Sequence, residues 1–334
     1  MTQWDFACSD PVDISIDSWA SGSVVVAGEP SSTLNVEVIP AHHGADVEDL
    51  LEQVRVEYED GQLYVRGPRA GSFRRKKGLD LTIRAPQGSS CAAKTTSSDL
   101  TAVGELSALS LQTASGDLTA ASVTGDISVQ SASGDVMVSH AGGDISVATA
   151  SGDLQAEQVD GEARINTASG DVLIGYCAGS VAAHTASGDI QLRAVARGRI
   201  ELHSASGDLN VGVVPGIGVY LDLASTSGSV RSDLDASEGD DGEGDAAVEI
   251  NCRTLSGDIK ISRATGASAR RATAPQPDEE PAGLAPVAAA ADDGGESAEE
   301  DPTQQDRNET DADPASTTSG SSPRDEQRRG WRRG

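Results

Sequence analysis

From Leu118 onward the apolar residues come in pairs two positions apart. One set is Leu118 and Ala120, Val136 and Val138, Leu154 and Ala156, Val172 and Ile174, Ile190 and Leu192, Leu209 and Val211. A second set falls between them: Ile127 and Val129, Ile145 and Val147, Ala163 and Ile165, Val181 and Ala183, Ile200 and Leu202. The residues separating the members of each pair are mostly Thr, Ser, Gln, Glu, Arg and His. Side chains at i and i+2 share one face of a strand, so the pattern predicts short strands with one dry and one wet face. A period of two excludes a helix.

The strands are spaced by a repeat. Ala-Ser-Gly-Asp recurs with its Asp at Asp117, Asp135, Asp153, Asp171, Asp189 and Asp208, at intervals of 18, 18, 18, 18 and 19 residues. Half-way copies carry Gly125, Gly143, Gly161, Gly179 and Gly198. A nine-residue step is too short for a helical crossover between parallel strands. The arrangement predicted is an all-β parallel β-solenoid (a β-helix) with 18-residue coils, each made of two nine-residue half-repeats. Each coil would lie about 4.8 Å from the next, the usual strand spacing. A Gly at each turn suits a reversal that needs positive φ or no Cβ. Two further columns are expected inside: Ala114, Ala132, Ala150, Ala168, Ala186 and Ala205 at one corner, and Val123, Ala141, Val159, Cys177 and Val195 at the other.

The repeat weakens at both ends. Ser97-Ser98-Asp99-Leu100 reads as an earlier coil; Ser227-Gly228-Ser229-Val230 and Ser256-Gly257-Asp258-Ile259 read as later ones. An acidic insertion near 232–247 separates the last two; it departs from a calcium-binding EF-hand loop at Glu238 and Gly244. Residues 1–88 are read as an irregular β-rich cap, with alternating runs at Leu34, Val36, Val38 and at Leu79, Leu81, Ile83. A hairpin signal stands at Asp60-Gly61, and a short helix is expected between Val47 and Gln53. Residues 89–263 form the solenoid. Residues 264–334 have almost no large apolar side chain and read as a disordered acidic tail with a basic end.

Composition narrows the function. Only 3% of residues are aromatic, and 37 of the 334 are Gly, which suits a thin core of stacked repeats. A formal net charge of −28 argues against nucleic acid, because phosphate contacts need a basic surface. Cys8, Cys91, Cys177 and Cys252 are far apart and form no metal or redox pair. Cys177 falls in an interior column and reads as a structural thiol. The chain starts without a basic, apolar leader and has no apolar run of membrane length, so a cytoplasmic protein is expected.

Chemistry-bearing candidates are few. Carboxylates of the Asp ladder, stacked at coil spacing, would repel by about 0.9 kcal/mol per neighbour even in water. Either each accepts a backbone N–H in an Asx-type turn, or the row holds cations. The calcium nonapeptide pattern, with two glycine positions and a spaced Asp, is not matched. His184 and His203 share an outward column beside Glu201 but lack a third oriented ligand. No Ser-His-Asp set and no phosphate-binding glycine loop stands out, so no catalytic residue and no cofactor is assigned. Basic residues cluster twice, at Arg74, Arg75, Lys76, Lys77 and at Arg328, Arg329, Trp331, Arg332, Arg333. These are either solvated charge runs or points of weak contact with an anionic membrane surface, where each base contributes about 1 kcal/mol.

The runs Val54-Arg55-Val56-Glu57-Tyr58 and Gly78-Leu79-Asp80-Leu81-Thr82-Ile83-Arg84-Ala85-Pro86, with the tandem turn repeats after them, resemble a bacterial family of unknown function whose members carry an adhesin label. The resemblance covers residues 10–263 approximately. It implies a parallel β-solenoid of toast-rack type and an association with the cell envelope and its stress responses. Three functional readings stay open: a non-catalytic, adhesin-like scaffold that binds a protein or envelope component, peripheral at the membrane if the basic runs engage it; a polysaccharide-active β-helix enzyme; and a calcium-dependent repeat protein. An irregular carboxylate cluster in a groove would favour the enzyme, and uniform faces the scaffold.

Overall fold

A computed structural model of the chain describes residues 1–8, 10–41, 47–68, 78–234 and 248–265. The chain separates into the units Met1–Pro277 and Asp278–Gly334, and all of the second lies outside the described residues.

The N-terminal part holds β1 (Thr2–Ala7), β2 (Asp13–Glu29), β3 (Thr33–Pro40), the short helix α1 (Val47–Leu51), β4 (Arg55–Glu59), β5 (Gln62–Arg66), β6 (Leu79–Pro86) and β7 (Ser90–Leu106). The regular array follows as β8 (Ala108–Ser115), β9 (Leu118–Val123), β10 (Ile127–Ser133), β11 (Val136–Ala141), β12 (Ile145–Ser151), β13 (Leu154–Val159), β14 (Ala163–Ser169), β15 (Val172–Cys177), β16 (Val181–Ser187), β17 (Ile190–Val195), β18 (Arg199–Ser206) and β19 (Leu209–Val213). Last come β20 (Val219–Ser227), β21 (Val230–Ser232), β22 (Val248–Ser256) and β23 (Ile259–Arg263).

Even-numbered strands from β8 to β18 stack in parallel on one side of the solenoid, and odd-numbered strands from β9 to β19 on the other. The register is 18 residues per coil: Ile127 lies beside Ile145, and Val136 beside Leu154. The paired apolar residues point inward and are essentially inaccessible, Val136 and Val138 among them. The parallel solenoid read from the repeat is therefore the fold of this chain.

One interior column differs from expectation. The Val123, Ala141, Val159, Cys177, Val195 column is buried, but Ala114, Ala132, Ala150, Ala168, Ala186 and Ala205 are all exposed. Strands such as β10 run on to Ser133, so alternation carries inward facing from Ile127 and Val129 to Ser131 and turns Ala132 outward. The corner is filled by hydroxyl residues instead: Thr185, Ser204 and Thr254 are buried. Thr185 Oγ1 has no hydrogen-bond partner among the described residues, but nearer the C-terminal end hydroxyls in this column donate to the turn carbonyl of the neighbouring coil. Thr254 Oγ1 reaches Gly207 O at 3.4 Å, and Ser225 Oγ reaches Gly257 O at 2.9 Å.

Coil order also departs from chain order at both ends. β2 is flanked by β5 and β6 on one side and by β7 on the other, so the first coil in sequence is the second in space. At the far end β22 lies between β18 and β20, and β23 between β19 and β21. The chain skips one level, forms the terminal coil β20–β21, and returns to fill the gap. The repeat cannot announce this, because every coil offers its neighbours the same edge. Beyond the first level, β4 pairs antiparallel with β5, and β3 with β6 and β1. Trp19 locks this end: it is buried, and its Nε1–H donates to Leu79 O at 2.9 Å.

Candidate binding faces and the turn ladders

The glycine of each Ala-Ser-Gly-Asp turn allows the coils to approach. Gly152 has φ +143°, and a Cβ there would stand 2.0 Å from Gly134 O one coil below. Gly170 and Gly188 have the same relation to the coil beneath them, at 2.1 Å. Only glycine fits a backbone in that region packed so closely.

The Asp beside each glycine is hydrogen-bonded between coils. Asp135 N–H donates to Asp117 Oδ1 at 2.9 Å, Asp153 to Asp135 at 2.9 Å, Asp171 to Asp153 at 2.8 Å, Asp189 to Asp171 at 2.8 Å and Asp208 to Asp189 at 2.7 Å. The acceptance expected inside one turn thus occurs across 18 or 19 residues. Asp99 extends the row at one end, through the N–H of Asp117 at 3.0 Å. Asp258 extends it at the other, where its N–H reaches Asp208 at 2.8 Å and its own carboxylate receives Ser229 N–H at 2.8 Å. The Ser229 N–H and hydroxyl hold the Asp258 carboxyl below its ordinary value. Ser229, in the terminal coil, has no further described coil to receive from, and a carboxylate there would have no such donor. A shorter row runs along the opposite edge, from Asp144 N–H to Asp126 and from Glu162 N–H to Asp144. Backbone N–H donors aimed at carboxylates offset the repulsion between neighbours.

With acids at the turns, the broad face between them is nearly neutral. The outward residues of β8, β10, β12, β14 and β16 include no carboxylate: Ser110, Ser128 and Ser146 form one row, and Gln112, Gln130, Ala148, Asn166 and His184 the next. Beside these rows runs a shallow groove of about 740 Å³, from Ser131 past Ala168 and Ala186 to the exposed Leu255. It crosses six strands, roughly 24 Å at the usual spacing. His184 and His203 stack in its wall, with ring centroids 5.0 Å apart and an interplanar angle of 16°. His203 Nε2 lies 3.1 Å from Glu201 Oε1. Among the described residues no group of three His, Cys, Asp or Glu side chains could hold a metal ion.

The ladder residues and the His pair are thus placed along two edges and one face, not in one pocket. Arg74, Arg75, Lys76, Lys77, Arg328, Arg329, Trp331, Arg332 and Arg333 lie outside the described residues. The four cysteines are free and buried. Burial pushes the Cys91 and Cys252 thiols up to about 12 and Cys177 to about 11. Two features escaped the sequence reading. His140 Nε2 lies 3.0 Å from Asp160 Oδ2, two rungs of side chain that repeat spacing alone does not pair. A polar patch around Tyr64 joins β4, β5, β2 and β7, whose adjacency depends on the reordered first coils. No helix among the described residues is long and apolar enough to cross a membrane.

These features define a parallel β-solenoid with hydrogen-bonded acidic turns and a broad, neutral face. A family model described as Toastrack DUF4097 matches residues 13–262, and the chain belongs to that family. No curated protein matches it. Similar solved structures include a putative cell adhesion protein from Clostridium sporogenes, at 13% identity over 78% of this chain and 99% of that one, with a TM-score of 0.25. A putative adhesin from Bacteroides fragilis shares 12% identity over 78% and 96%, with a TM-score of 0.35. A putative lipid binding protein from Parabacteroides distasonis shares 11% over 79% and 96%, with a TM-score of 0.33. Likenesses this distant carry no statement about ligands.

Proposed function

We propose that the chain is a non-catalytic, adhesin-like scaffold that binds an extended protein or envelope component along its neutral face. The observation that supports this is the groove from Ser131 to Leu255, which is long, open and lined without a carboxylate. A groove that cleaved glycosidic bonds would need two acids flanking the bond, one to protonate the leaving oxygen and one to attack or activate water. The ladder carboxylates next to this groove instead stand in regular rows at the turns, engaged by backbone N–H groups. Small residues such as Ala150, Ala168 and Ala186 leave the backbone close to the surface, where a flat partner can approach across several coils.

The test is affinity capture from native envelope extracts with the parent chain and with Ala168→Arg/Ala186→Arg. The scaffold reading expects the same specific partner with the parent and its loss with the double variant, both proteins melting alike. Release of reducing ends from polysaccharides by the purified protein would replace this reading with the enzymatic one.

A further inference from the structure

At the N-terminal end of the same side, four strands bring together a set of groups unlike the rest of the surface. Arg55 of β4 is the direct cross-strand partner of Arg66 in β5, and Glu57 is the partner of Tyr64. Ser15 and Asp17 of β2 stand beside Tyr64 and Arg66. Lys94 of β7 follows on the next strand, beside Gln112. Like charges placed directly opposite on antiparallel strands are destabilising. Only Arg66 has a partner, Asp17 Oδ2 at 3.3 Å; among the described residues no carboxylate lies within 4.0 Å of Arg55 or Lys94. Two adjoining depressions of about 310 Å³ each lie here. Arg55 lines one and Lys94 the other, while Tyr64 and Arg66 line both. Tyr64 is 50% exposed, an aromatic surface where most of the outer face carries Ser, Ala and Gln.

Arg55 and Lys94, without ion pairs, can take anions, and with Asp17 and Glu57 lining the same depressions as Arg55, Arg66 and Lys94 the patch keeps one net positive charge. The other groups argue for something more than a bare anion. An exposed tyrosine offers an apolar plane, and Glu57, Ser15 and Gln112 offer acceptors and donors for hydroxyl groups. Depressions on either side of one aromatic ring suit consecutive units of a polymer.

We propose that this patch binds an acidic polysaccharide, with a sugar ring against Tyr64, one anionic substituent between Arg55 and Arg66, and the next beside Lys94. The site is distinct from the alanine-lined groove, so it stands or falls independently of the scaffold reading. The ring accounts for selectivity over simple polyanions and the cations for selectivity over neutral glycans.

Binding is measured by calorimetry on the full chain with four probes: polygalacturonate for carboxylate substituents, a phosphomannan for phosphate, dextran as a neutral polymer and polyphosphate as an anion without rings. At least one of the two acidic polysaccharides is expected to bind, and which one identifies the substituent. Dextran and polyphosphate are expected to bind at least about tenfold more weakly, a difference of about 1.4 kcal/mol. Tyr64→Ala, Arg55→Gln and Lys94→Gln, all at exposed positions, are each expected to weaken binding several-fold while the thermal melt is unchanged. Failure of both acidic polysaccharides to bind overturns the proposal. So does polyphosphate binding as tightly as they do with no effect of Tyr64→Ala, which would reduce the patch to simple charge attraction. Binding that survives Arg55→Gln and Lys94→Gln would belong elsewhere on the chain and also refutes it.

Discussion

Gly152→Ala tests the close stacking of the coils most directly. The native φ of +143° lies where L-residues are strained, which costs about 1–3 kcal/mol. The added Cβ would also stand 2.0 Å from Gly134 O, so two coils must separate at that rung. Separation weakens two hydrogen bonds between these coils: Asp153 N–H to Asp135 at 2.9 Å and Gly134 N–H to Ser151 O at 3.1 Å. Each is worth about 1 kcal/mol net. The expected destabilisation is therefore roughly 3–5 kcal/mol. Gly216→Ala supplies the control, because Gly216 also has positive φ, +86°, but nothing lies within 4 Å of its added Cβ. It should lose only the backbone contribution of about 1–2 kcal/mol. Urea titrations followed by far-UV circular dichroism give both midpoints. If the two variants agree to within about 0.5 kcal/mol, the contact between turn glycines is not what holds the coils together.

Three other outcomes are expected. The raised thiols of Cys91, Cys177 and Cys252 mean that the folded state holds these protons more tightly than the unfolded chain does. Their contribution to stability is complete below the ordinary thiol value of 9.0 and is lost as pH rises from there through about 11 to 12; Cys252→Ala should flatten that loss in urea titrations at pH 8 to 11. Melts in chelator and in millimolar calcium should nearly coincide, since the ladder carboxylates are engaged by N–H donors; a large upward shift with calcium would assign the row to cations. Removing the sequence after Arg324 should abolish low-salt sedimentation with anionic vesicles, and equal pelleting with and without Arg328, Arg329, Trp331, Arg332 and Arg333 would remove the membrane-contact expectation.

The coil, its length and its buried pairs were legible because burial on one face of a strand writes a period of two into the sequence, and the tight turn writes glycine at a fixed interval. Val136, Val138 and Cys177 were placed by that logic and are buried. The alanine column was misplaced because small apolar residues were preferred for the corner over strict alternation. Ser131 and Thr185 follow the alternation: Ser131 Oγ donates to Ser133 O at 2.8 Å, whereas Thr185 Oγ1 is buried with no hydrogen-bond partner among the described residues. The Asp rows were visible as a repeat, but their donors were not, because an N–H supplied 18 residues away appears in no local pattern. The Tyr64 patch was hidden for a related reason. Arg55 and Arg66 are paired by the hairpin at Asp60-Gly61, but Lys94 is brought near them only because β2 lies between β5 and β7 at the reordered start of the array.

That skipped level bears on how such a chain can lengthen over evolutionary time. Neither the first nor the last parallel coil strand in sequence is outermost: β2 and β23 both lie one level in from the ends. Adding a repeat immediately before β2 or after β23 would therefore disturb a coil that is already sandwiched. Duplication of an 18-residue unit between β8 and β19 would meet matching edges above and below, extend both Asp rows in register, and lengthen the neutral face by about 4.8 Å per copy. The two reordered ends would remain as they are, so family members could differ in reach while keeping the same terminal architecture.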